Sequence, residues 1–185
     1  MRVAAAACAL LFMFAAQPGG KPRIQDLEVA VEGAQISADF RLVDVFDDAL
    51  IERIQTGLPT GFDFQFKIVK PLPLWPFATT RSLETTSFQA VAMYNAVTKE
   101  YLVNYKQDGE LINSLVVLGL DELEEAMTRF ESIVLFSSEG IRSTRRLHVR
   151  ARAAVGSRSI LFLIPTRVKT DWADSERFRL RDGDE

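Results

Sequence analysis

The sequence predicts a mainly β (α+β) fold: an antiparallel β-sandwich of about eight or nine strands with two helices. Three observations carry that reading. Apolar and polar residues alternate with period two in one run after another. Turn residues such as Gly33 and Asp108-Gly109 punctuate the runs. Only two stretches switch to a helical period. Strands that are apolar on one side need a second layer to cover them, and two packed sheets are the simplest arrangement that does so.

Leu27, Val29 and Val31 alternate with Glu28, Ala30 and Glu32, and Gly33 then turns the chain. Ile36, Ala38, Phe40 and Leu42 alternate with Ser37, Asp39 and Arg41. Asp47 can cap a first helix with Leu50, Ile51 and Ile54 on one face, which Gly57 and Pro59 end. Phe62, Phe64, Phe66 and Ile68 alternate with Asp63, Gln65 and Lys67. The Pro-rich residues 70–77 read as a loop between this strand and a long one over 79–94. Residues 95–98 turn into a strand over 99–107, and Asp108-Gly109 closes a hairpin with 110–118. Asp121 with Glu124 makes a capping pattern for a second helix, whose stripe is Leu120, Leu123, Met127 and Phe130. Further strands are expected over 132–137, 143–155 and 160–170. The thirteen Phe fall largely at inward strand positions and read as core.

The chain has 185 residues, 48% hydrophobic, with 22 Lys+Arg against 25 Asp+Glu and a formal net charge of -3. An apolar fraction of that size supports a packed core and excludes wholesale disorder. The slight acidity argues against a nucleic-acid partner, whose binding domains are usually strongly basic. One Cys and one His exclude a disulfide framework within the chain and a Cys/His zinc site. No metal site and no cofactor are implied.

Residues 1–16 read as a signal peptide. Arg2 supplies the positive start, Val3 to Ala16 is uninterrupted apolar sequence, and Gln17-Pro18-Gly19-Gly20 breaks any helix. As a helix the apolar run covers only about 21 Å, short of the roughly 30 Å of a bilayer core. Cleavage after Ala16 leaves no cysteine, which suits a periplasmic or secreted protein. An uncleaved segment in the inner membrane is the alternative, and Cys8 lies too early in the run for lipid attachment. Residues 17–25 form a linker, 26–180 a single sandwich domain, and 181–185 a polar tail.

Two surfaces carry chemistry. Strand alternation puts Arg146, His148, Arg150 and Arg152 on one face and Leu147, Val149, Ala151 and Ala153 on the other. That cationic ladder could contact an anionic envelope component or an acidic partner. It could equally be a solvated strand face paired with Asp and Glu of neighbouring strands. His148 is the sole histidine. Its flanking arginines would depress its pKa, and no G-x-S-x-G elbow accompanies it, so it is read as part of the basic face. Leu72, Trp75 and Phe77 belong to the stiff Pro-rich stretch. Exposed, they would form a docking or membrane-interface knob; buried, they would plug the end of the sandwich. The acids Asp44, Asp47 and Asp48, and Glu122, Glu124 and Glu125, stand at helix N-termini, where the dipole accounts for them.

The order of motifs resembles a bacterial family of exported proteins catalogued as a domain of unknown function, family 4390. The matching residues are Gly57-Leu58-Pro59 followed by Phe62, the Pro/Trp stretch around Trp75, and Thr98 to Tyr101. The most specific is the closing Asp171-Trp172-Ala173-Asp174-Ser175-Glu176-Arg177-Phe178. The chain departs from the family where Pro76-Phe77 replace the charged residues expected after the tryptophan. The resemblance implies export and an envelope location, and it carries no catalytic residue. The expectation is a non-catalytic binding or interaction module with peripheral membrane contact available to it. The alternatives are a carrier of an apolar or lipid ligand between the sheets and a carboxylate-based hydrolase.

Overall fold

The computed structural model describes residues 20–74, 77–141, 146–155 and 168–180. Strand β1 (Arg23–Glu32) turns at Gly33, φ +57°, into β2 (Gln35–Val43). The chain then leaves this sheet through α1 (Asp48–Gln55) and enters β3 (Thr60–Leu74). Strands β4 (Phe77–Asn95), β5 (Glu100–Gln107) and β6 (Glu110–Val117) follow as a meander. Helix α2 (Leu120–Thr128) carries the chain back to β7 (Arg129–Ser137), which pairs with β2. Strand β8 (His148–Val155) pairs with β3, and the short β9 (Val168–Lys169) and β10 (Ala173–Asp174) pair with β8.

The result is a three-stranded sheet, β1-β2-β7, over a seven-stranded sheet ordered β10-β8-β3-β4-β5-β6 with β9 also on β8. Every pairing is antiparallel, and both helices lie on the crossings between sheets. Phe40 of β2 projects into the middle of the sandwich. Its ring stacks on Phe130 at 4.8 Å and meets Phe64 and Phe66 edge-on at 5.1 Å. Phe88 joins the cluster at 5.9 Å from Phe64 and 5.2 Å from Phe130. Phe62, Phe64, Phe66, Phe88 and Phe40 are all at most 2% exposed. The inward Phe positions read from alternation are therefore the core, and their rings fill the space between the sheets.

The turns follow local chemistry. Asp47 accepts a hydrogen bond from Leu50 N at 2.8 Å and caps α1, which buries Leu50 and Ile54. Gly57, φ +79°, ends that helix. Asp108 and Gly109, both at positive φ, make the expected hairpin turn. The Asp108 carboxylate also accepts from Ser87 N and Thr86 Oγ1, each at 2.8 Å. Burial pushes its pKa up, but these donors outweigh burial and hold it below the usual value.

Four expectations change. The Pro-rich stretch is not a loop: β3 runs to Leu74, β4 starts at Phe77, and the two remain paired along the whole stretch. Leu74 and Phe77 close a two-residue connection, so their N–H and C=O groups turn inward between the strands. Pro73 and Pro71, at alternate positions, then aim their missing N–H groups at the opposite edge. Pairing with β8 has already stopped there, at Val69. In the second helix the N-cap is Gly119 rather than Asp121, and the Glu122 carboxylate reaches back to Leu118 N at 3.1 Å. Leu120 is 39% exposed and Phe130 belongs to β7, so the buried helical stripe is Leu123 and Met127. The strand read over 143–155 opens at His148, since Arg146 and Leu147 precede β8 and 143–145 lie outside the described residues. Residues 1–16, 181–185, Trp75 and most of the strand expected over 160–170 lie outside the described residues. Among the described residues, no helix is long and apolar enough to cross a membrane.

Candidate functional site

Strand β8 sorts its residues as its sequence requires. Val149, Ala151 and Ala153 are fully buried, and His148, Arg150 and Arg152 occupy the outer face of the large sheet. Register with β3 places Lys67 opposite Arg150, Gln65 opposite Arg152 and Val69 opposite His148. Lys67 against Arg150 is a like-charge pair, which costs stability unless something intervenes. Two residues of the C-terminal segment do so. Asp174 pairs with Arg150 across the other side of β8, accepting from its Nε at 2.7 Å. The Trp172 ring lies beneath three cations at once: the Arg152 guanidinium at 4.5 Å, Lys67 Nζ at 5.2 Å and the Arg150 guanidinium at 5.4 Å. The negative face of the indole lowers the mutual repulsion of these groups. Arg152 Nε also donates to Gln65 Oε1 at 3.0 Å.

The closing motif builds this arrangement by strapping itself along the β8 edge. Thr170 N donates to Ala153 O at 2.9 Å, while its hydroxyl accepts from Ala153 N at 2.9 Å. Ser175 repeats the device on Val149: its N donates to Val149 O at 2.9 Å, and its hydroxyl accepts from Val149 N at 3.0 Å. Each hydroxyl donates its own proton onward, Thr170 to Asp171 O and Ser175 to Glu176 O. Phe178 and Leu147 exchange two backbone bonds at 2.8 and 2.9 Å. Side-chain hydroxyls thus substitute for ladder bonds at both ends of the strap and hold Trp172 between them over the arginines.

His148 shares this face but is only 9% exposed. Its Nε2 lies 3.8 Å from Asp174 Oδ1, and among the described residues its buried Nδ1 has no hydrogen-bond partner. Burial comes first in holding its pKa below the ordinary 6.5. Asp174 acts in the opposite sense, and Arg177 and Arg150 add to the depression. The sequence pattern supplied the arginines but not the burial. The sign follows from linkage. The unfolded chain takes up the proton first, so stability is whole above the ordinary value and declines as pH falls below it towards the folded-state pKa. Denaturant midpoints from about pH 7.5 to about pH 5 should therefore fall less steeply for His148→Gln than for the parent chain. Equal slopes would mean that His148 titrates alike folded and unfolded.

The basic face was legible only in part. Arg150 and Arg152 lie at its centre, His148 is buried at its margin, and Arg146 is exposed just ahead of β8. Lys67, Gln65, Trp172 and Asp174 were not foreseen as members. The outward alternation of Gln65 and Lys67 and the closing motif were both visible, but strand register was not. Leu72 is half-buried in β3 beyond the end of β8 pairing, so no pairing ties it to the basic face. Phe77 opens β4.

Beside Arg152 the outer face holds a cleft of about 430 Å³ lined by Asp63, Gln65, Ser87, Gln89, Asp108 and Lys169. Its lining mixes donors and acceptors of both charges. His148, Asp174 and Ser175 are the residue types of a hydrolytic triad, but the Ser175 hydroxyl accepts from Val149 N and donates to Glu176 O, so it is not free to donate to His148. Four of the helix-associated acids have structural partners: Asp44 pairs with Arg23, Asp47 caps α1, Glu125 pairs with Arg129, and Glu122 bonds the backbone before α2. Among the described residues, no three Asp, Glu, His or Cys side chains gather into a group that could hold a metal ion.

A family model described as a domain of unknown function, DUF4390, matches residues 20–176, in agreement with the resemblance read from the motifs. No curated protein and no solved structure matches the chain.

Proposed function

The chain belongs to the DUF4390 family, and we propose that this member is an exported, periplasmic or envelope protein that acts as a non-catalytic interaction module. Its recognition surface is the outer face around Trp172, Arg150, Arg152 and Lys67, and its partner presents acidic side chains. The observation that carries this reading is the convergence of three cations on one half-buried tryptophan. Tryptophan and arginine are the residues in which binding energy concentrates at protein interfaces. The charge-mixed cleft alongside suits a protein surface better than a uniform polyanion, and a net charge of -3 opposes attraction to an anionic membrane. The signal-like residues 1–16 support the location. The carrier reading loses support from the Phe core, which leaves clefts on the surface and ring-on-ring packing between the sheets.

A photo-crosslinking residue at Gln65, in the full chain expressed in its own host, tests this. One discrete crosslinked product is expected. Charge reversal by Lys67→Glu with Arg152→Glu should reduce it at least tenfold while circular dichroism stays unchanged. A product indifferent to both reversals would remove the basic face from recognition.

A further inference from the structure

Natural sheets protect their edges, and three of the four sheet edges here are protected. Strand β1 carries Arg23, Asp26, Glu28 and Glu32, and its register breaks between Gln25 and Glu28, with Asp26 at φ +52°. Strand β7 carries Arg129 and Glu131, slips register twice against β2, and holds Ser132 at φ +53°. The β8 side is covered by the C-terminal strap. Strand β6 is the least protected: it has one bulge, at Ile112, and one local cap, Asn113 Oδ1 accepting from Ser114 N at 2.8 Å. Its only charge is Glu110, it contains no Pro, and among the described residues nothing pairs with its outer edge. Leu111 is 59% exposed, Ile112 50%, Leu115 42% and Val116 55%. Outward-facing Met93, Leu102 and Val116 are successive cross-strand partners, so an apolar row runs across the sheet and stops at this open edge.

We infer that β6 pairs antiparallel with β6 of a second copy of this chain, joining two large sheets into one. The register of β6 makes it complementary to itself. Tyr105 is opposite Asn113 and Lys106 opposite Leu111, so Ile112 is the extra residue of a bulge. Beyond that bulge Leu111 shares the outer face with Ser114 and Val116, while Asn113, Leu115 and Val117 point inward. Antiparallel pairing of two identical strands needs a two-fold axis perpendicular to the sheet, which opposes residues of the same face. An axis through Ser114 meets that condition. Ser114 meets its own copy, Leu111 meets Val116 at both ends, and Asn113 meets Leu115. Glu110 falls opposite Val117, so the single charge of the strand does not meet itself. The apolar row then continues from Val116 into Leu111 of the second copy. A strand with one charge offers little to select a partner of different chemistry, whereas its own sequence supplies matched apolar pairs. Two such strands with their flanks would bury roughly 1,000 Å² in total, the lower end for a specific interface.

Ser114 lies on the axis, so opposed Cα atoms are about 4.5–5.5 Å apart, within disulfide reach. The test uses the full chain carrying Cys8→Ala and Ser114→Cys, oxidised mildly in its native membrane-containing fraction. A covalent homodimer is expected as the main product. Val97→Cys, at a position 90% exposed in the β4–β5 turn, should yield little. Adding Leu111→Lys and Val116→Lys, both at exposed positions, should lower the Ser114→Cys dimer at least fivefold. The inference is overturned if Ser114→Cys stays monomeric, as it would were β6 covered by another protein or by lipid. It is equally overturned if Val97→Cys crosslinks as well, or if the dimer survives both lysines.

Discussion

Phe40→Ala is expected to destabilise the fold by about 3–5 kcal/mol, the largest effect of any single truncation considered, because it opens a cavity that four rings line. Phe40 is 2% exposed and is the only described residue of the small sheet's central strand whose ring reaches Phe64, Phe66, Phe88 and Phe130 together. It joins β2 to β3 and β4 of the facing sheet and to β7 beside it, so the two layers lose their common anchor. For a domain of this size each kcal/mol shifts the melting temperature by about 2–4 °C, so a fall of roughly 10 °C is expected by calorimetry. Phe40→Leu should recover more than half of the loss, since it restores apolar volume without the ring geometry. A fall of only a degree or two for Phe40→Ala would show that the sheets pack on something other than this cluster.

The second large effect is expected at the strap. Thr170→Val with Ser175→Ala keeps the side-chain bulk close to the original but strips Ala153 N and Val149 N of their acceptors. Both hydroxyl-bearing residues are under 9% exposed, and a buried donor left unpaired costs about 1–3 kcal/mol. Against two such losses stand the strap's remaining backbone bonds from Thr170, Ser175 and Phe178 and the Asp174–Arg150 pair, which at an exposed edge contributes at most about 1 kcal/mol. The strap is therefore expected to leave β8 while the Phe core stays folded. With Trp75→Phe, Trp172 becomes the only indole, and its emission should shift to the red in the double variant without a change in far-ultraviolet circular dichroism. Unshifted emission would show that the hydroxyls do not hold Trp172 in place.

What the sequence made legible, and what it did not, follows from the range of the interactions. Period-two alternation identified β2, β3 and the inward Phe residues, because a strand's two faces are written in consecutive residues. The Asp47 cap and the Asp108-Gly109 turn were equally visible, since each is completed within a few residues. The Pro-rich stretch reads as a loop because proline breaks most strands. Pro71 and Pro73 alternate, so both missing donors fall on the one edge that has no partner, and the hairpin continues. Phe130 has the spacing of the α2 stripe but follows the residue at which the helix ends. At the site, Arg150 and Arg152 were readable from their own strand. Lys67 came from a strand more than eighty residues earlier in the chain, and its place beside Arg150 depends on register alone. Trp172 was marked by the closing motif, but nothing local states that Thr170 and Ser175 turn that motif into an edge strap.

We propose that Trp172, held by the strap over Lys67, Arg150 and Arg152, is where a partner binds. The most direct measurement is the photo-crosslinking yield from position 65 in Trp172→Ala, set against the parent chain in the same host. Loss of a central aromatic anchor should lower the yield at least tenfold while the melting temperature of the core holds within a few degrees. A yield equal to that of the parent would contradict the claim.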